Sequence, residues 1–337
     1  MTEEERQALR TFLLKQFDSL QWIQGVGLPI VAIGGSARNV VQVHQQKINY
    51  PISGIHQYEM SKKELDDLKK ELGSMTIEDL RQLDGLSSDR ADIISIALEV
   101  FSVLMEIVQT SQFQLSKKGL REGLIINRVL QIDENAFDKH HVFEENARRI
   151  AFQYGRSEKE TDTLYTLAKQ FYEESCRLKL VPYREEHFKL ITKAAKLFAI
   201  GEYIELESAS QHTFYLLANQ SIAGMNHVER IKLALLASYK NRDYFRRFAQ
   251  PFMTWISREE LKELRDLGAM LKFIYALNVS KSHIVSDIKM NRMDEQLELI
   301  IKTKGSAVAE NYEAEKQKKH IERVFKLQVS IRLIEER

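Results

Sequence analysis

The sequence predicts an α/β region, then an all-helical region, then a small α/β segment at the C-terminal end. Short apolar runs alternate with helical patterns up to about residue 130, as expected for a sheet covered by helices. Between 131 and 282 the apolar residues follow helical spacing and no run indicates a strand. After residue 282, strand-like runs again alternate with a helical pattern. The predicted domains are therefore 1–130, 131–282 and 283–337.

The elements of the first region follow from periodicity and turn residues. Two apolar or alternating runs predict strands at 29–33 and 112–116, and "SGIHQYEM" predicts a short extended segment between them. Ser61 and Glu64 have the spacing of a capping box, which starts a helix ending near Leu72. The other helices of this region are predicted at 3–23, 36–46, from 76, at 88–109 and from 119.

The remaining elements are predicted in the same way. The final part contains a hairpin in "DIKMNRMDEQLELIIKT", a helix in "SAVAENYEAEKQKKHIERVFK" and a strand in "LQVSIRLI". The long helical region is divided by its polar turns into helices at 141–154, 158–180, 184–203, 208–221, 226–239, 244–249 and 257–277.

Charge and composition exclude several classes of protein. The 337 residues carry 49 Lys and Arg against 48 Asp and Glu, so a generally basic nucleic-acid-binding protein is excluded and any polyanion site is local. The single cysteine, Cys176, excludes an internal disulfide and suits a reducing cytoplasm. The acidic start "MTEEERQALR" differs from a signal peptide, and no apolar run reaches the roughly 18 residues of a membrane span. We expect a cytoplasmic protein without nucleic-acid or membrane partners.

A phosphate-type loop is predicted where the first strand ends. Gly34, Gly35 and Ser36 lie between the strand and a helix, where free backbone N–H groups favour anions. Arg38 adds a guanidinium that can make forked contacts with phosphate. The alternative is a tight glycine turn, with Arg38 in a structural ion pair.

Three stretches in order resemble one family. "AIGGSARNV" (32–40), "GLSSDRADII" (85–94) and "KKGLREGLI" (117–125) are similar to the second actin-like lobe of the Ppx/GppA family, the exopolyphosphatases and guanosine pentaphosphate phosphohydrolases. "HHVFEENARRIAF" (140–152) and the helices after it resemble the family's HD-related helical domain. The implied fold is the second lobe of an actin-like (RNase H-like) phosphatase, an all-helical domain and a small α/β segment.

The resemblance places the second and third stretches near the cleft. Arg90 is a candidate phosphate contact. The favoured interpretation of its segment is instead structural: Ser87 or Ser88 caps the helix, and the charged residues form a buried salt bridge. Arg121 is likewise a candidate contact for polyphosphate, whereas an Arg121–Glu122 pair that fixes the loop is favoured.

The family's N-terminal lobe carries a D-x-G-S-type phosphate loop and a carboxylate that orients the attacking water. Neither that loop nor the D-I-G-G-G-S type that begins the other lobe occurs in this sequence, since Ala32 and Ile33 precede the glycines. The resemblance therefore predicts a chain that lacks the N-terminal lobe, contains no catalytic residue and is inactive or nearly inactive alone. Whether Met1 is the natural start is left open.

The HD-related domain shows a degenerate metal site. Such a site needs a histidine, an adjacent His-Asp pair and a later aspartate, because a hard cation prefers carboxylate together with imidazole. Phe198 and Ala199 stand at the His-Asp positions, and Tyr275 and Asn278 replace two later acids. His141 and His212 have no carboxylate partner in the pattern and are interpreted as structural. We expect no metal in this domain.

A polyanion track is predicted around "YKNRDYFRR" (239–247). It is a basic and aromatic segment on a neutral background, although a solvated helix face is the favoured alternative. The candidate residues, including two from a neighbouring helix, are Lys193, Lys196, Lys240, Arg242, Arg246 and Arg247.

Two functions follow from the resemblance. The first is hydrolysis of terminal phosphates from polyphosphate or guanosine pentaphosphate, with Mg²⁺ in the complete family enzyme and none expected on this chain alone. The second is a regulatory or binding module for polyphosphate or a guanosine alarmone. The sequence does not choose between the two polyanions. The apolar helices at 158–180 and 257–277 leave room for a homodimer interface.

Overall fold

A computed structural model describes residues 2–136 and 142–336 of the chain. His141, considered above, lies outside the described residues. The chain forms two compact units, Met1–Asp138 and Lys139–Arg337. The predicted C-terminal segment from 283 onward belongs to the second of these units.

A small mixed sheet organises the first unit. Its strands are β1 (Ile30–Ala32), β2 (Glu59–Ser61) and β3 (Gln112–Leu115), in the order β1-β3-β2. β1 runs parallel to β3, whereas β2 runs antiparallel to it. The side chain of Phe113 on the central strand is fully buried in the core. The two predicted strands and the extended segment are therefore confirmed.

Between residues 2 and 136, six helices accompany this sheet. Three of them begin with the reciprocal capping box, including the predicted pair of Ser61 and Glu64 and a pair formed by Thr76 and Asp79. The helices are α1 (Glu3–Asp18), α2 (Gly35–Lys47), α3 (Lys62–Leu72), α4 (Ile77–Arg81), α5 (Ile94–Val108) and α6 (Leu120–Ile132).

The prediction of one helix over 88–109 is wrong at its start. Ser88–Arg90 forms a 3-10 turn and α5 begins only at Ile94. Ser87 makes no capping bond because its backbone N–H and hydroxyl are engaged with the side chain of Asn39, both at 3.3 Å. Ser87, which the sequence pattern predicts as a helix cap, instead bonds to Asn39 of α2.

A buried carboxylate joins three helices of the first unit. Glu99 on α5 is 2% exposed and lies 3.5 Å from the guanidinium of Arg10 on α1. The ammonium group of Lys69 on α3 lies 3.4 Å from the same carboxylate. Two cations therefore compensate the desolvation of one buried anion.

The second unit contains the helical region, and its helices agree closely with the predicted ranges. They are α7 (Val142–Gln153), α8 (Glu158–Arg177), α9 (Glu185–Lys196), α10 (Ala209–Asn219), α11 (His227–Ala237), α12 (Arg242–Ala249), α13 (Arg258–Ala276) and α14 (Val308–Phe325). A separate 3-10 turn, Ile200–Tyr203, follows α9 in place of the predicted continuation to residue 203.

The predicted C-terminal hairpin is confirmed. β4 (Val285–Met293) pairs antiparallel with β5 (Gln296–Thr303), and β6 (Gln328–Glu335) pairs parallel with β5 after the crossover through α14. β4 packs on α8, and α14 packs on α13. The sheet and the helices therefore share one core. Among the residues that the structure describes, no helix has the length and apolarity needed to cross a membrane.

Gly85 permits a close approach to the backbone of α2. Its φ is +87°, and a Cβ there would lie 2.8 Å from the carbonyl carbon of Gln42 on α2. We expect Gly85→Ala to lower the free energy of unfolding by about 2–4 kcal/mol, because strain and overpacking add. Urea unfolding measures this. Gly123→Ala, in the open interior of α6, is the control and should stabilise by up to about 1 kcal/mol. Equal effects at the two glycines would contradict the prediction.

Candidate phosphate and anion sites

The predicted glycine loop and the "KKGLREG" loop leave the same edge of the sheet. β1 and β3 are parallel neighbours, with Ile30 opposite Phe113 and Ala32 opposite Leu115. The backbone N–H of Ser116 then donates to the carbonyl of Ala32 at 2.9 Å. In open sheets this carboxyl edge is where ligands bind. Two of the three family-like stretches are therefore brought together.

The helices that follow these loops differ at their N-terminal ends. α2 begins after Gly34, which has φ +96°, with no side-chain cap and no acidic residue in its first turn. The N-terminal end of α6 is capped by its own side chain, because the backbone N–H of Gly119 donates to the Glu122 carboxylate at 2.9 Å. This bond, with help from Lys118 and Arg121, holds the pKa of Glu122 below its usual range. Glu122 thus caps its own helix, and the favoured Arg121–Glu122 pair is not observed.

Arg90 lies over the open start of α2. A Cβ added to Gly35 would lie 2.6 Å from the guanidinium carbon, and Nη1 lies 3.5 Å from the Ser36 hydroxyl. No carboxylate of the described chain forms an ion pair with Arg90, so the favoured buried salt bridge is wrong. Arg38 is exposed and likewise has no ion pair among residues 2–136 or 142–336. Gly34, Gly35, Ser36 and Arg90 therefore meet at one place.

The position of Arg90 is fixed by the loop before it. Gly85 packs on the backbone of α2, and Asn39 of that helix holds Ser87 through two hydrogen bonds. Asn39 is 3% exposed, so these bonds are shielded from water. The loop therefore follows α2 and presents Arg90 to the helix start.

Three of the degenerate metal positions meet in the second unit. Phe198, Ala199 and Tyr275 line one cavity of about 190 Å³, and the rings of Phe198 and Tyr275 are 5.0 Å apart. Asn278 instead accepts a hydrogen bond from the backbone of His283. Within the described ranges, no group of three or more His, Cys, Asp or Glu could hold a metal ion. These side chains do not fit a Mg²⁺ site.

A buried guanidinium lies beside the cavity. Arg156 is 5% exposed and pairs through Nη1 with Glu160 at 2.7 Å. Its Nη2 donates to the carbonyl of Phe198 at 2.6 Å, and its Cζ lies 5.4 Å from the Tyr275 ring centroid. The Tyr275 hydroxyl donates to Glu202 at 2.6 Å, and burial raises the Tyr275 pKa. Sequence reasoning missed Arg156, for which the i,i+4 spacing to Glu160 was the available signal.

Of the six predicted polyanion residues, three lysines lie outside α12 and three arginines lie on it. Lys196 forms an ion pair with Glu144, and Lys193 lies 4.4 Å from the ring centroid of Phe143. Burial lowers the pKa of Lys193, which borders a cavity of about 570 Å³. Lys240 borders the smaller cavity instead.

The other three predicted cations lie on α12. Arg246 pairs with Asp243 at 3.5 Å, Arg247 lies 4.5 Å from the ring centroid of Tyr244, and Arg242 is exposed. A basic cluster that sequence reasoning missed lies near Lys240. Its members, on α13 and α14, are Lys272, Lys316, Lys319, His320 and Arg323.

Removal of the Arg156 guanidinium tests its structural role. We expect Arg156→Met to lower the free energy of unfolding by about 3–5 kcal/mol, because Glu160 is left buried and unpaired. Arg148→Met, which removes surface ion pairs with Glu145 and Glu158, is the matched control and should cost less than about 1 kcal/mol. Urea unfolding compares the two. The double variant Arg156→Met with Glu160→Leu should recover part of the lost stability. If Arg156→Met alone destabilises no more than Arg148→Met, the prediction is wrong.

Curated relatives match about half of this chain. Guanosine-5'-triphosphate,3'-diphosphate pyrophosphatase of Vibrio parahaemolyticus is 24% identical over 167 residues, which cover 49% of this chain and 32% of the relative. The protein of the same name from Pseudoalteromonas translucida is 24% identical over 170 residues, covering 48% and 31%. The matched part of the chain thus spans about a third of the length of these relatives.

Solved structures of Aquifex aeolicus proteins are also similar. A Ppx/GppA family member is 22% identical and covers 39% of this chain and 42% of its own, with a TM-score of 0.35. The type II variant of the Aquifex aeolicus Ppx/GppA phosphatase is 21% identical and covers 37% and 41%, with a TM-score of 0.33.

Family models cover most of the sequence. The model of the Ppx/GppA phosphatase family matches residues 1–132, and that of Ppx/GppA phosphatase, domain III, matches residues 142–324. These matches do not bear out the expectation of a missing N-terminal lobe. The two matches follow each other without overlap. The chain belongs to the Ppx/GppA phosphatase family.

Proposed function

We propose that the protein is a phosphohydrolase that removes terminal phosphates from polyphosphate or from guanosine pentaphosphate. Membership in the Ppx/GppA phosphatase family supports this reaction class. The curated relatives are named guanosine-5'-triphosphate,3'-diphosphate pyrophosphatases, which supports a phosphate chain on a guanosine as one substrate.

The observation that carries the proposal is the position of Arg90. The open N-terminal end of α2 offers unpaired N–H groups and the positive end of the helix dipole. The Arg90 guanidinium lies at Gly35 and Ser36 of the same turn, with no carboxylate in the described chain to neutralise it. A phosphate group bound there would accept charge-assisted hydrogen bonds from both. Gly34, Gly35, Ser36 and Arg90 form this proposed phosphate site, with Arg38 and Arg121 as further proposed contacts.

The role proposed for these residues is binding and orientation of the phosphate chain. In the family enzymes that the sequence resembles, Mg²⁺ would supply charge neutralisation. Among the described residues, no group of three or more His, Cys, Asp or Glu could hold a metal ion. The first unit therefore holds the phosphate in this proposal, and no step is assigned to a metal.

The family architecture gives the proposal its domains. The first unit corresponds to the second actin-like lobe, which the parallel β1–β3 pair with its two loops supports. The second unit corresponds to the HD-related domain. The meeting of Phe198, Ala199 and Tyr275 at one cavity supports this, because these positions were identified from the HD pattern alone.

A binding or regulatory module is the second candidate function. The basic cluster around Lys272 favours it, since it offers cations for a polyanion in the second unit. Phosphate release separates the two candidates. A module binds the phosphate chain without releasing phosphate, whereas the phosphohydrolase does both.

Arg90→Gln tests the first function. We expect it to weaken binding of polyphosphate and of guanosine pentaphosphate by about 10–100-fold, the loss of a hydrogen bond to a charged group. Calorimetric titration at low and high salt measures binding, and phosphate release with added Mg²⁺ is followed on the same samples.

Arg81→Gln is the matched control. It removes the same charge from an exposed position on α4 and should leave affinity within about twofold. Arg90→Gln binding both polyanions as tightly as this control would overturn the proposed site.

A further inference from the structure

The cavity at the degenerate metal positions has a basic side. It lies among α10, α11, α13 and the turn Ile200–Tyr203, and both Lys240 and Lys272 border it. The Nζ of Lys272 donates to the carbonyl of Lys240 at 2.8 Å and lies 3.4 Å from Nε2 of His320. Two lysines therefore border the cavity, and His320 contacts one of them.

Lys272 is half-buried among like charges. Burial, followed by the charges of its neighbours, lowers its pKa to about 8. The same surroundings lower the pKa of His320 to about 4, so this ring is neutral and its nitrogen can accept from the Lys272 ammonium. The groups that face Lys272 are Lys240, Glu313, Lys316, Lys319 and His320, and Arg323 faces the histidine.

The carboxylates nearby do not neutralise this charge. Glu313 is engaged by Lys316 at 3.1 Å. Glu202, which borders the cavity, accepts the Tyr275 hydroxyl at 2.6 Å, and Glu207 is exposed to solvent. Across the described residues, Lys272 has no ion pair. Both hydrogen-bond partners of Lys272 are neutral, so the half-buried charge is not compensated, and a bound anion would lower the cost of burying it.

A buried hydroxyl at the same cavity also has no partner. Ser238 is 3% exposed, borders the cavity, and its Oγ makes no hydrogen bond to any described residue. Its backbone carbonyl, by contrast, accepts from the Ser210 hydroxyl. Buried polar groups in native proteins are usually hydrogen-bonded, so this hydroxyl is available to bond to a molecule in the cavity.

We propose that this cavity binds a small phosphate-class anion, neutralised by Lys240 and Lys272 and hydrogen-bonded by the Ser238 hydroxyl. Two ammonium groups and a hydroxyl match an anion that has several oxygens and more than one negative charge. The volume of about 190 Å³ is below the roughly 300–1,000 Å³ of sites for larger ligands. Free orthophosphate and the end of a phosphate chain share this chemistry.

The site is additional to the one proposed around Arg90 and does not depend on it. In the HD pattern the residues at these positions bind a metal cation. Here Phe198, Ala199 and Tyr275 replace those ligands, and lysine side chains border the same cavity. We therefore expect an anion in the cavity where an HD protein binds a cation.

Calorimetric titration of the full chain with orthophosphate and with tripolyphosphate tests the proposal. In the Arg90→Gln background one phosphate site should remain. Lys272→Gln should weaken that site by about tenfold or more, the effect of a lost charge-assisted hydrogen bond. Lys262→Gln, an exposed change on the same helix, is the matched control and should bind as the parent does. Binding of orthophosphate places the free ion in the cavity, and binding of tripolyphosphate alone indicates the end of a chain.

Ser238→Ala provides a variant that keeps the charge. Removing an unpartnered buried hydroxyl should not lower the melting temperature of the phosphate-free protein, yet it should weaken phosphate binding by about fivefold to tenfold. A purely structural serine would give the opposite pattern.

The pH dependence adds a third readout. Only protonated Lys272 attracts the anion, so affinity should fall as pH rises through about 8, well below the range of an ordinary lysine. Unchanged affinity in both Lys272→Gln and Ser238→Ala, or the absence of any phosphate site in the Arg90→Gln background, would overturn the proposal.

Discussion

The ion pair of Arg156 with Glu160 is the constraint on which the second unit's site depends. Arg156 lies just before α8 and pairs with Glu160 of that helix. Its guanidinium also donates to the carbonyl of Phe198, which follows α9, and lies against the ring of Tyr275 on α13. Replacing a buried ion pair by apolar residues is often neutral for stability, so what the pair provides here is geometry. It fixes the turn at Ala199, where φ is +56°, and thereby two walls of the cavity.

The first unit uses a different device for the same purpose. There a close backbone approach at Gly85 and the Asn39–Ser87 bonds attach one loop to α2. Neither contact is charged, yet together they carry the guanidinium of Arg90 to the start of that helix. In each unit an arginine is held at one place, and its charge is compensated in one unit but not in the other. Arg156 is paired with Glu160, whereas Arg90 makes no ion pair among the described residues and has a weak contact with the Ser36 hydroxyl at 3.5 Å.

Local signals explain what the sequence could predict. Capping boxes and helical spacing involve residues three or four apart, so the starts of α3 and α4 and the helices of 142–277 follow from them. The start of α5 does not, because Ser87 bonds to Asn39, 48 residues away. The Arg156–Tyr275 contact spans 119 residues, and no local pattern contains it. Phe198, Ala199 and Tyr275 were found only because the family pattern names those positions.

The distribution of charge explains why the polyanion residues were harder to predict than the fold. With 49 basic and 48 acidic residues, the net charge does not indicate where a polyanion would bind, and a lysine in a basic stretch can be paired with a carboxylate from another helix. Lys196 is an example, since α7 supplies Glu144 to it. Lys272 lies within an ordinary amphipathic helix. Its like-charged neighbours are Lys240, 32 residues earlier, and Lys316 and Lys319 on α14, more than forty residues later. In a chain whose charges are this well balanced, a half-buried cation that lacks a carboxylate is the informative feature, and only the three-dimensional structure identifies it.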